Sequence, residues 1–480
     1  MTGPALDAIV VGAGPNGLAA ALTLARAGRS VRVYEAARTI GGGTRTEELT
    51  LPGFSHDVCS TILPLTAASP FLRTIDWAAR GVVVVHPDAP LAQPLDGGRV
   101  AVLERSLAAT AAWLDGDRGT DDGRAWRRLF APLVRDAMKL STELLRPVIH
   151  LPQHPLALAR FGLPALRSGE GLARATFRGE AARALFGGLA AHSMVALDRP
   201  LSASFGLVLG LYAHAVGWPL IRGGSAAVAD ALAAEVRERG GEIVTGQRVD
   251  RLADLPRSRV VILDTTPRAA VAIAGDRLPS RTRSRYLAFR YGSGVFKVDW
   301  ALDGPIPWAA PGTARAATVH LGGTLEEVAA AEAEVTRGGH PERPFTLLAQ
   351  YHPWDPTRAP EGRTTAWAYC HVPAGSGFDM TDRIEAQVER FAPGFRDRIL
   401  ARSTMSPAKM EAHDANYIGG DINAGIIDIR QLIFRPTPSL DPYHAGEGVY
   451  LCSSSTPPGG GVHGMSGHLA ARSALRRDLR

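Results

Sequence analysis

The first thirty-five residues alternate between continuous apolar runs and a stretch with apolar residues at helical spacing. The run AIVVGAG (8–14) predicts a buried strand, and SVRVYE (30–35) predicts a second one. Between them, PNGLAAALTLARAG (15–28) predicts a helix that Gly28 ends. A strand, a helix and a strand in this order form the βαβ unit that opens an α/β domain.

The same alternation returns in the middle of the chain. Residues 223–252 predict a helix that begins at Ser225 and ends at Gly240, followed by a strand through Val244. The run SRVVILDTTP (258–267) predicts a further buried strand that ends at a turn. We interpret these segments as later parts of the first α/β domain.

The remaining segments have a different character. Residues from about 76 to 215 are rich in Leu, Ala and Arg at helical spacing, which predicts helices. From about 280 to 400, strand-like runs alternate with an Ala/Glu-rich helix near LEEVAAAEAEV (325–335); these runs are GVFKVDWAL, FTLLAQYH and TTAWAYCHV. The sequence therefore indicates a second, mixed domain, without an internal repeat or a low-complexity linker.

A glycine-rich motif joins the first strand to the first helix. Gly12, Gly14 and Gly17 fit the pattern G-x-G-x-x-G in the strand, turn and helix context that the motif requires. The first glycine makes the turn, the second lets a pyrophosphate approach the backbone, and the third allows close packing. Glu35 ends the second strand, where its carboxylate can accept hydrogen bonds from an adenosine ribose.

Two further glycine clusters favour FAD over NAD. Gly41, Gly42 and Gly43 follow the ribose acid by only a few residues, which suggests a longer cofactor across the edge of the sheet. Near the end of the chain, the run 459–461 precedes an apparent helix. Bare backbone there would let the positive end of that helix approach the pyrimidine oxygens of a flavin.

These elements together predict the fold class and the domains. We expect an α/β protein with a Rossmann-like FAD-binding domain of the glutathione-reductase type and an inserted mixed α+β substrate domain. The discontinuous FAD-binding domain would comprise residues 1–75, 216–279 and 435–480. The substrate-binding domain would comprise residues 76–215 and 280–434.

Composition narrows the functional classes. The chain has 480 residues, 45% of them hydrophobic, and 53 basic against 47 acidic residues give a net charge of +6. The charges are dispersed, so we expect no nucleic-acid partner. Three scattered cysteines without a C-x-x-C pair exclude a redox dithiol at close spacing and a thiolate zinc site, and we expect no metal. The start of the chain lacks a basic leader, so we expect a cytoplasmic protein.

Several stretches resemble the phytoene desaturase and amine oxidase group of flavoproteins, most closely its phytoene-dehydrogenase-like subgroup. They extend over nearly the whole chain: VVGAGPNGLAAA, GGGTRTEELTLPGFSHDVCS, GWPLIRGGSAAVADAL, YGSGVFKVDWAL, NYIGGDINAG and YLCSSSTPPGGGVHGMSG. Together they are specific for the subgroup and poorly specific for the substrate.

The resemblance implies roles for individual residues. It implies that Gly12, Gly14 and Gly17 form the pyrophosphate turn and that Glu35 accepts the ribose. Further cofactor-binding residues follow from it: Gly42 and Arg45 in the second glycine motif, Val249 at the adenine, and Gly460, Gly461 and Val462 at the flavin. The motif usually has arginine where Gly43 stands, and Arg45 comes two residues later.

Two residues are candidate catalytic groups. Lys297 matches the lysine of the amine oxidases that holds a water against flavin N5, and the alternative is a strand-edge lysine that reaches solvent. His463 follows the flavin-contact glycines and is either a proton carrier or a structural residue at a helix start. We interpret His56, His192 and His214 as core or pocket-wall residues.

The resemblance implies an FAD-dependent dehydrogenase, desaturase or oxidase. It would remove a hydride from a C–H bond of an apolar small molecule and form C=C or C=N. The alternatives are a redox-neutral isomerase of a polyene that uses reduced flavin, and a non-catalytic scaffold in which FAD is structural. The apolar stretch from Pro147 to Pro164 could line a substrate entrance, contact a membrane peripherally or bury a homodimer contact.

Overall fold

The computed structural model describes residues 6–116 and 119–480. Its strands are β1 (Leu6–Val11), β2 (Val31–Tyr34), β3 (Thr46–Glu47), β4 (His56–Asp57), β5 (Val84–Val85), β6 (Ala89–Leu95), β7 (Arg99–Leu103), β8 (Leu220–Ile221), β9 (Glu242–Val244), β10 (Ser258–Leu263), β11 (Gly294–Leu302), β12 (Ala316–Leu321), β13 (Thr346–Gln350), β14 (Thr364–Val372), β15 (Ile399–Met405), β16 (His444–Gly446) and β17 (Val449–Leu451).

The helices of the same residues are α1 (Pro15–Arg26), α2 (Pro64–Ala68), α3 (Leu107–Asp115), α4 (Asp122–Arg135), α5 (Ala137–Leu144), α6 (Pro155–Ala165), α7 (Gly169–Thr176), α8 (Glu180–Ala191), α9 (Ser202–Ala215), α10 (Ala226–Glu238), α11 (Pro267–Ala274), α12 (Ser280–Leu287), α13 (Leu325–Thr336), α14 (Thr381–Phe391), α15 (Pro407–His413), α16 (Ile429–Phe434) and α17 (Met465–Arg477).

A six-stranded sheet, the first sheet, has the order β16-β17-β10-β1-β2-β9. Its neighbouring strands are parallel except for β16, which is antiparallel to β17. Helices α1, α10 and α17 pack on one face, and α11 and α12 pack on the other. The predicted Rossmann-like α/β fold is confirmed, because helices cover both faces of a mostly parallel sheet.

The contact between α1 and α17 explains one glycine near the end of the chain. A Cβ atom at Gly467 would lie 1.7 Å from the carbonyl oxygen of Asn16. Only glycine therefore allows the two helix backbones to come this close. The contact fixes the last helix beside the first glycine turn.

A seven-stranded sheet, the second sheet, has the order β15-β11-β14-β13-β12-β6-β7. Its strands are antiparallel to their neighbours except for the parallel pair β6 and β12. One face packs against apolar residues of α14. The predicted strands between residues 280 and 400 and the helix near 325–335 are confirmed, and they form the mixed domain.

The expectation of helices throughout residues 76–215 is wrong in part. Strands β6 and β7 form a hairpin in which Leu95 is opposite Arg99, and Gly97 and Gly98 adopt φ values of +76° and +71°. Glycine supplies such torsions at no steric cost. All seven residues of β6 are buried, so the strand shows no alternation of polar and apolar positions that the sequence could have revealed.

Apart from the short strand β5, the other regular elements of that segment are helices. Helices α3 to α9 surround a core that includes Trp126, Phe130, Phe177 and Phe186. The strands of the first sheet all fall within residues 1–75, 216–279 and 435–480, and those of the second fall within 76–215 and 280–434. The domain boundaries themselves stay a prediction. None of the helices in the described ranges has the length and apolarity to cross a membrane.

A buried ion pair connects the two sheets. Asp57 lies in β4 and accepts hydrogen bonds from the backbone and side chain of Ser225, directly before α10, at 2.9 and 3.0 Å. On its other side, its carboxylate is 3.0 Å from the guanidinium of Arg358. Arg358 also donates to Asp355 at 2.8 Å and stacks on Tyr351, which directly follows β13 of the second sheet. Ser225, predicted as a helix N-cap, therefore directs its hydroxyl to Asp57 instead of capping α10.

The charge of Arg358 governs the state of Asp57. Burial by itself raises the pKa of Asp57, but the Arg358 charge and the hydrogen bonds to the carboxylate outweigh burial and lower the pKa. Asp57 is therefore ionised in the folded protein at neutral pH. Removal of either partner would leave an unpaired charge in the interior.

We predict that Arg358→Leu lowers the free energy of unfolding by roughly 3 to 5 kcal/mol, because it leaves the Asp57 carboxylate buried and unpaired. A suitable control is Arg251→Leu, since Arg251 and its partner Asp254 are largely exposed, and such pairs contribute about 1 kcal/mol or less. Urea unfolding of both variants measures the difference. Equal losses would contradict the importance of the buried pair.

Candidate active site

A cavity of about 560 Å³ lies where three parallel strands of the first sheet end. Gly12, Glu35 and Asp264, which directly follow β1, β2 and β10, belong to its wall. Residues 412–417 form another part of the wall, and Tyr369 of the second sheet also lines the cavity. Ligands of open α/β sheets bind at this edge, outside the carboxyl ends of the strands.

The cavity brings most of the predicted cofactor-binding residues together. The following lie in its wall: Gly12, Gly14, Glu35, Gly42, Arg45, Val249, Gly461 and Val462. Four further predicted residues lie behind the wall: Gly17, Lys297, Gly460 and His463. Their individual roles toward a cofactor stay predictions.

The first glycine turn leaves no room for side chains. Gly12 has φ of +102°, and a Cβ atom there would lie 2.9 Å from the backbone oxygen of Asp264. A Cβ atom at Gly17 would lie 2.0 Å from the oxygen of Gly12, so the start of α1 packs directly on the turn. The turn therefore presents bare backbone and a helix N-terminus to the cavity, an arrangement that suits a phosphate group.

The second glycine cluster packs on the first. A Cβ atom at Gly42, whose φ is +50°, would lie 3.2 Å from the Cα atom of Gly14. A Cβ atom at Gly43 would lie 2.1 Å from the hydroxyl of Tyr417. This contact explains why glycine stands at 43, where the family usually has arginine, because Tyr417 fills the space of a side chain.

Glu35 and Arg45 meet in the wall of the cavity. Glu35 accepts hydrogen bonds from the backbone of Ala13 at 2.8 Å and of Ala37 at 2.9 Å. Arg45 lies 3.3 Å from the same carboxylate and donates to the carbonyl oxygens of Thr39 and His413. Arg45 thus sits beside the predicted ribose acceptor, and its predicted contact with a pyrophosphate stays a prediction.

The late glycine run is packed on three sides. Gly459 and Gly461 have φ values of +121° and +114°. A Cβ atom at Gly460 would lie 2.9 Å from the side-chain oxygen of Asn423, and one at Gly461 would lie 2.4 Å from Leu65. The run therefore needs glycine for close packing as well as for its torsions, and it brings Val462 to the cavity.

His463 ties this run to the last helix. Its Nδ1 accepts a hydrogen bond from the backbone of Met465 at 3.0 Å, and its Nε2 lies 3.0 Å from the carbonyl oxygen of Gly459. Burial lowers the pKa of His463 to about 4. Both ring nitrogens therefore contact backbone atoms of the same loop, as expected for a structural residue at a helix start. A catalytic role for His463 stays a prediction.

Lys297 is buried and paired. Its ammonium contacts the carboxylate of Asp299, two residues along the same face of β11, and lies 5.1 Å from the ring of Trp367. His56 completes the group, with its Nδ1 at 3.4 Å from Asp299. The alternative of a lysine that reaches solvent is wrong, since Lys297 is only 1% exposed. Lys297 is opposite Tyr369, which lines the cavity.

Asp264 is a site residue that the motif analysis missed. Its carboxylate accepts a hydrogen bond from the backbone of Gly17 at 2.8 Å and so lies inside the glycine turn. Burial, with added repulsion from Asp414 and Glu35, raises the pKa of Asp264 to about 8, although the hydrogen bond from Gly17 opposes the shift. A neutral acid at this position would not repel a pyrophosphate. The signal in the sequence was an acid directly after a buried strand.

We predict that Asp264→Asn stabilises the flavin-free protein increasingly as the pH rises. The pKa of Asp264 is raised above the usual 3.8, so the native state holds a proton that the unfolded chain releases. The stability from that proton is fully present below about pH 4 and is lost as the pH rises through about 8. Urea unfolding at pH 5, 7 and 9 measures the difference between variant and wild type. The exposed Asp250→Asn serves as control, and a difference that is constant with pH would contradict the assignment.

Comparisons with known proteins show which family the chain belongs to. The family model described as flavin containing amine oxidoreductase matches residues 16–277, more than half of the chain. Pyridine nucleotide-disulfide oxidoreductase domain-containing protein 2 of Mus musculus is 26% identical over 563 residues, which cover 99% of this chain and 94% of that protein. Phytoene dehydrogenase of Streptomyces griseus is 28% identical over 420 residues, which cover 83% of this chain and 78% of that protein.

A solved structure supports the fold. Putrescine oxidase bound to putrescine superposes with a TM-score of 0.64 at 18% identity, and the match covers 99% of both chains. Putrescine oxidase and this chain therefore share a fold. The predicted membership of the amine oxidase and phytoene desaturase flavoproteins is confirmed. The chain belongs to the family of flavin-containing amine oxidoreductases and is a flavin-dependent oxidoreductase.

Proposed function

We propose that the chain binds FAD and uses it to remove a hydride from a C–H bond of an organic metabolite with an apolar body, forming C=C or C=N. The observation that carries this proposal is the composition of the cavity wall. The wall contains Glu35 and Val249, which suit an adenosine, and also Tyr369 of the second sheet and Val462. A flavin mononucleotide would leave Glu35 and Val249 without a ligand group, so the dinucleotide fits better.

The wall of the cavity contains both charged and uncharged side chains. Its ionisable carboxylates and guanidinium groups belong to Glu35, Arg45, Arg248, Asp264 and Asp414. Uncharged side chains also line it, including Cys59, Tyr369, Ile422 and Asn423. An uncharged surface favours the apolar part of a substrate.

The protein and the cofactor would divide the chemistry. FAD supplies the acceptor for two electrons when it is bound. The backbone at Val462 and the side chain of Tyr369 would position the substrate and exclude water. Lys297, held by Asp299 behind Tyr369, would orient a water or a proton there.

The buried pair of Lys297 and Asp299 favours catalysis over a scaffold role. Burial of two charges costs free energy that their attraction offsets only in part. A structural flavoprotein could fill the same space with apolar residues at no loss. We therefore prefer the oxidoreductase to the non-catalytic alternative.

We predict that Lys297→Met slows the return of the oxidised flavin absorbance by about 100-fold, as expected for loss of a positioned proton donor. The holoprotein is reduced anaerobically with dithionite and then mixed with oxygen in a stopped-flow instrument. The double variant Lys297→Met/Asp299→Asn avoids an unpaired buried carboxylate and should be equally slow.

The control for this experiment is Lys139→Met. The Lys139 side chain is half exposed, pairs with Asp136 three residues earlier and does not line the cavity. Flavin content should be unchanged in all three variants. A wild-type rate of reoxidation in the Lys297 variants would refute the role of this lysine.

We further propose that the surface around α6 contacts a membrane that contains anionic lipids. This surface, the α6 patch, consists of large apolar side chains that face solvent: Val148, Ile149, Leu151, Leu156, Leu163 and Leu166. Leu151 is 90% exposed, and Leu156 and Leu163 are each 73% exposed. Residues 146–169 contain three arginines and no acidic residue. Exposed apolar side chains together with arginines in one short segment fit an anionic bilayer.

We predict that Leu156→Gln/Leu163→Gln lowers partition of the protein to vesicles of phosphatidylcholine and phosphatidylglycerol by roughly tenfold or more, since each leucine loses part of its burial energy. Sedimentation with vesicles measures the bound fraction. Leu440→Gln is the matched control, because Leu440 is 86% exposed outside the patch. Equal binding of the wild type and all variants to the vesicles would contradict the proposal. A wild-type protein that binds no vesicles but forms a dimer that the double substitution disrupts would also contradict it.

A further inference from the structure

A chain of polar side chains leads from the cavity into the second domain. His192, at the end of α8, lines the cavity. Its Nε2 lies 3.0 Å from the Nε2 of His320 in β12, so one ring must donate and the other accept. His320 is fully buried. Two tautomeric arrangements satisfy this contact, and they present opposite hydrogen-bonding groups to the cavity.

Gln93 distinguishes the two arrangements. Its side-chain nitrogen donates to the carbonyl oxygen of Gly323 at 3.1 Å, which fixes the orientation of the amide. Its oxygen Oε1 is buried and has no partner within the described ranges, and the same holds for Nδ1 of His320. A buried acceptor without a donor costs free energy.

Gly188 shows that these two atoms face the same point. A Cβ atom there would lie 2.3 Å from Oε1 of Gln93 and 2.7 Å from Nδ1 of His320. Both polar atoms therefore border the space that the missing side chain leaves at 188, without a hydrogen bond between them. A proton on Nδ1 of His320 would be attracted by the nearby unpaired oxygen of Gln93, whereas a lone pair there would be repelled by it.

The tautomer of His320 determines that of His192. With its proton on Nδ1, His320 accepts at Nε2, so His192 must donate from its own Nε2. The Nδ1 atom of His192 is then an acceptor, and the bond to His320 is the hydrogen bond that this ring makes among residues 6–116 and 119–480. Burial, together with the nearby His371, lowers the pKa of His192 to about 3, which keeps the ring neutral at ordinary pH.

We propose that Gln93 and His320 are positioning residues that present Nδ1 of His192 as a neutral hydrogen-bond acceptor, so that the substrate binds with an N–H or O–H group at this atom. This inference rests on the proposed function, since it concerns the binding of substrate in the same cavity. It narrows the substrate class to molecules with an apolar body and one hydrogen-bond donor. A pure hydrocarbon would leave the acceptor unpaired.

The tautomers can be measured without a substrate. In holoprotein with ¹⁵N-labelled histidine, long-range proton–nitrogen correlation should place the proton of His192 on Nε2 and that of His320 on Nδ1. His192→Phe assigns the signals. In Gln93→Leu the preference should weaken and both rings should show averaged shifts. A proton on Nδ1 of His192 in the wild type would overturn the proposal even if the enzyme oxidises substrates.

Recognition is tested with a matched pair of probes, benzyl alcohol and benzyl methyl ether. We predict that wild-type holoprotein binds the alcohol about tenfold more tightly, as one neutral hydrogen bond allows, with binding followed by the perturbation of the flavin absorbance. His192→Phe should lose this preference, and the control His340→Phe, which removes a histidine bonded to Ser376 outside the cavity wall, should keep it. If the wild type binds both probes equally or binds neither, the proposed recognition of a donor group by His192 is overturned. If the tautomers are as predicted but no substrate is turned over, the result counts against the proposed function alone.

Discussion

The buried ion pair of Asp57 and Arg358 is the contact on which the geometry of the cavity depends. Asp57 holds the beginning of α10 through Ser225, and Arg358 belongs to the domain of the second sheet. Because both side chains are almost completely buried, their attraction is not weakened by water as it would be at the surface. The cavity lies between the two domains, so a cofactor and a substrate held by different sheets meet only if this junction keeps its alignment.

The glycine clusters also fix the shape of the cavity, through close backbone contacts within its wall. Gly14 and Gly42 belong to different turns, yet their backbones touch, and Gly43 leaves room for Tyr417 from a distant part of the chain. Each of these contacts removes a side chain so that two pieces of backbone can form one wall. The conformational freedom that glycine loses on folding is the cost of this close packing.

The parts of the fold that depend on local pattern could be predicted from the sequence. The first βαβ unit, the helix that begins near Ser225 and the strands after residue 290 have the periodicities of regular elements. The hairpin of β6 and β7 could not be recognised, because all residues of β6 are buried and its sequence APLAQPL has no regular alternation of polar and apolar residues. The partner of Lys297 was within reach of the sequence, since residues two apart on a strand share a face and Asp299 is two residues on.

The roles of Asp264, Asp57 and His192 could not be predicted, because each depends on residues far away in the chain. Asp264 bonds to Gly17, Asp57 to Arg358, and His192 to His320. His463 shows the converse. Its position after the flavin-contact glycines suggested chemistry, but both ring nitrogens bond to neighbouring backbone. The most direct test of the central claim, that electrons reach the flavin from an organic substrate, is anaerobic titration of the purified flavoprotein with NADH and NADPH. The account predicts that the oxidised flavin absorbance persists with both nucleotides, and rapid bleaching by either one would contradict it and indicate a reductase, a monooxygenase or a reduced-flavin isomerase.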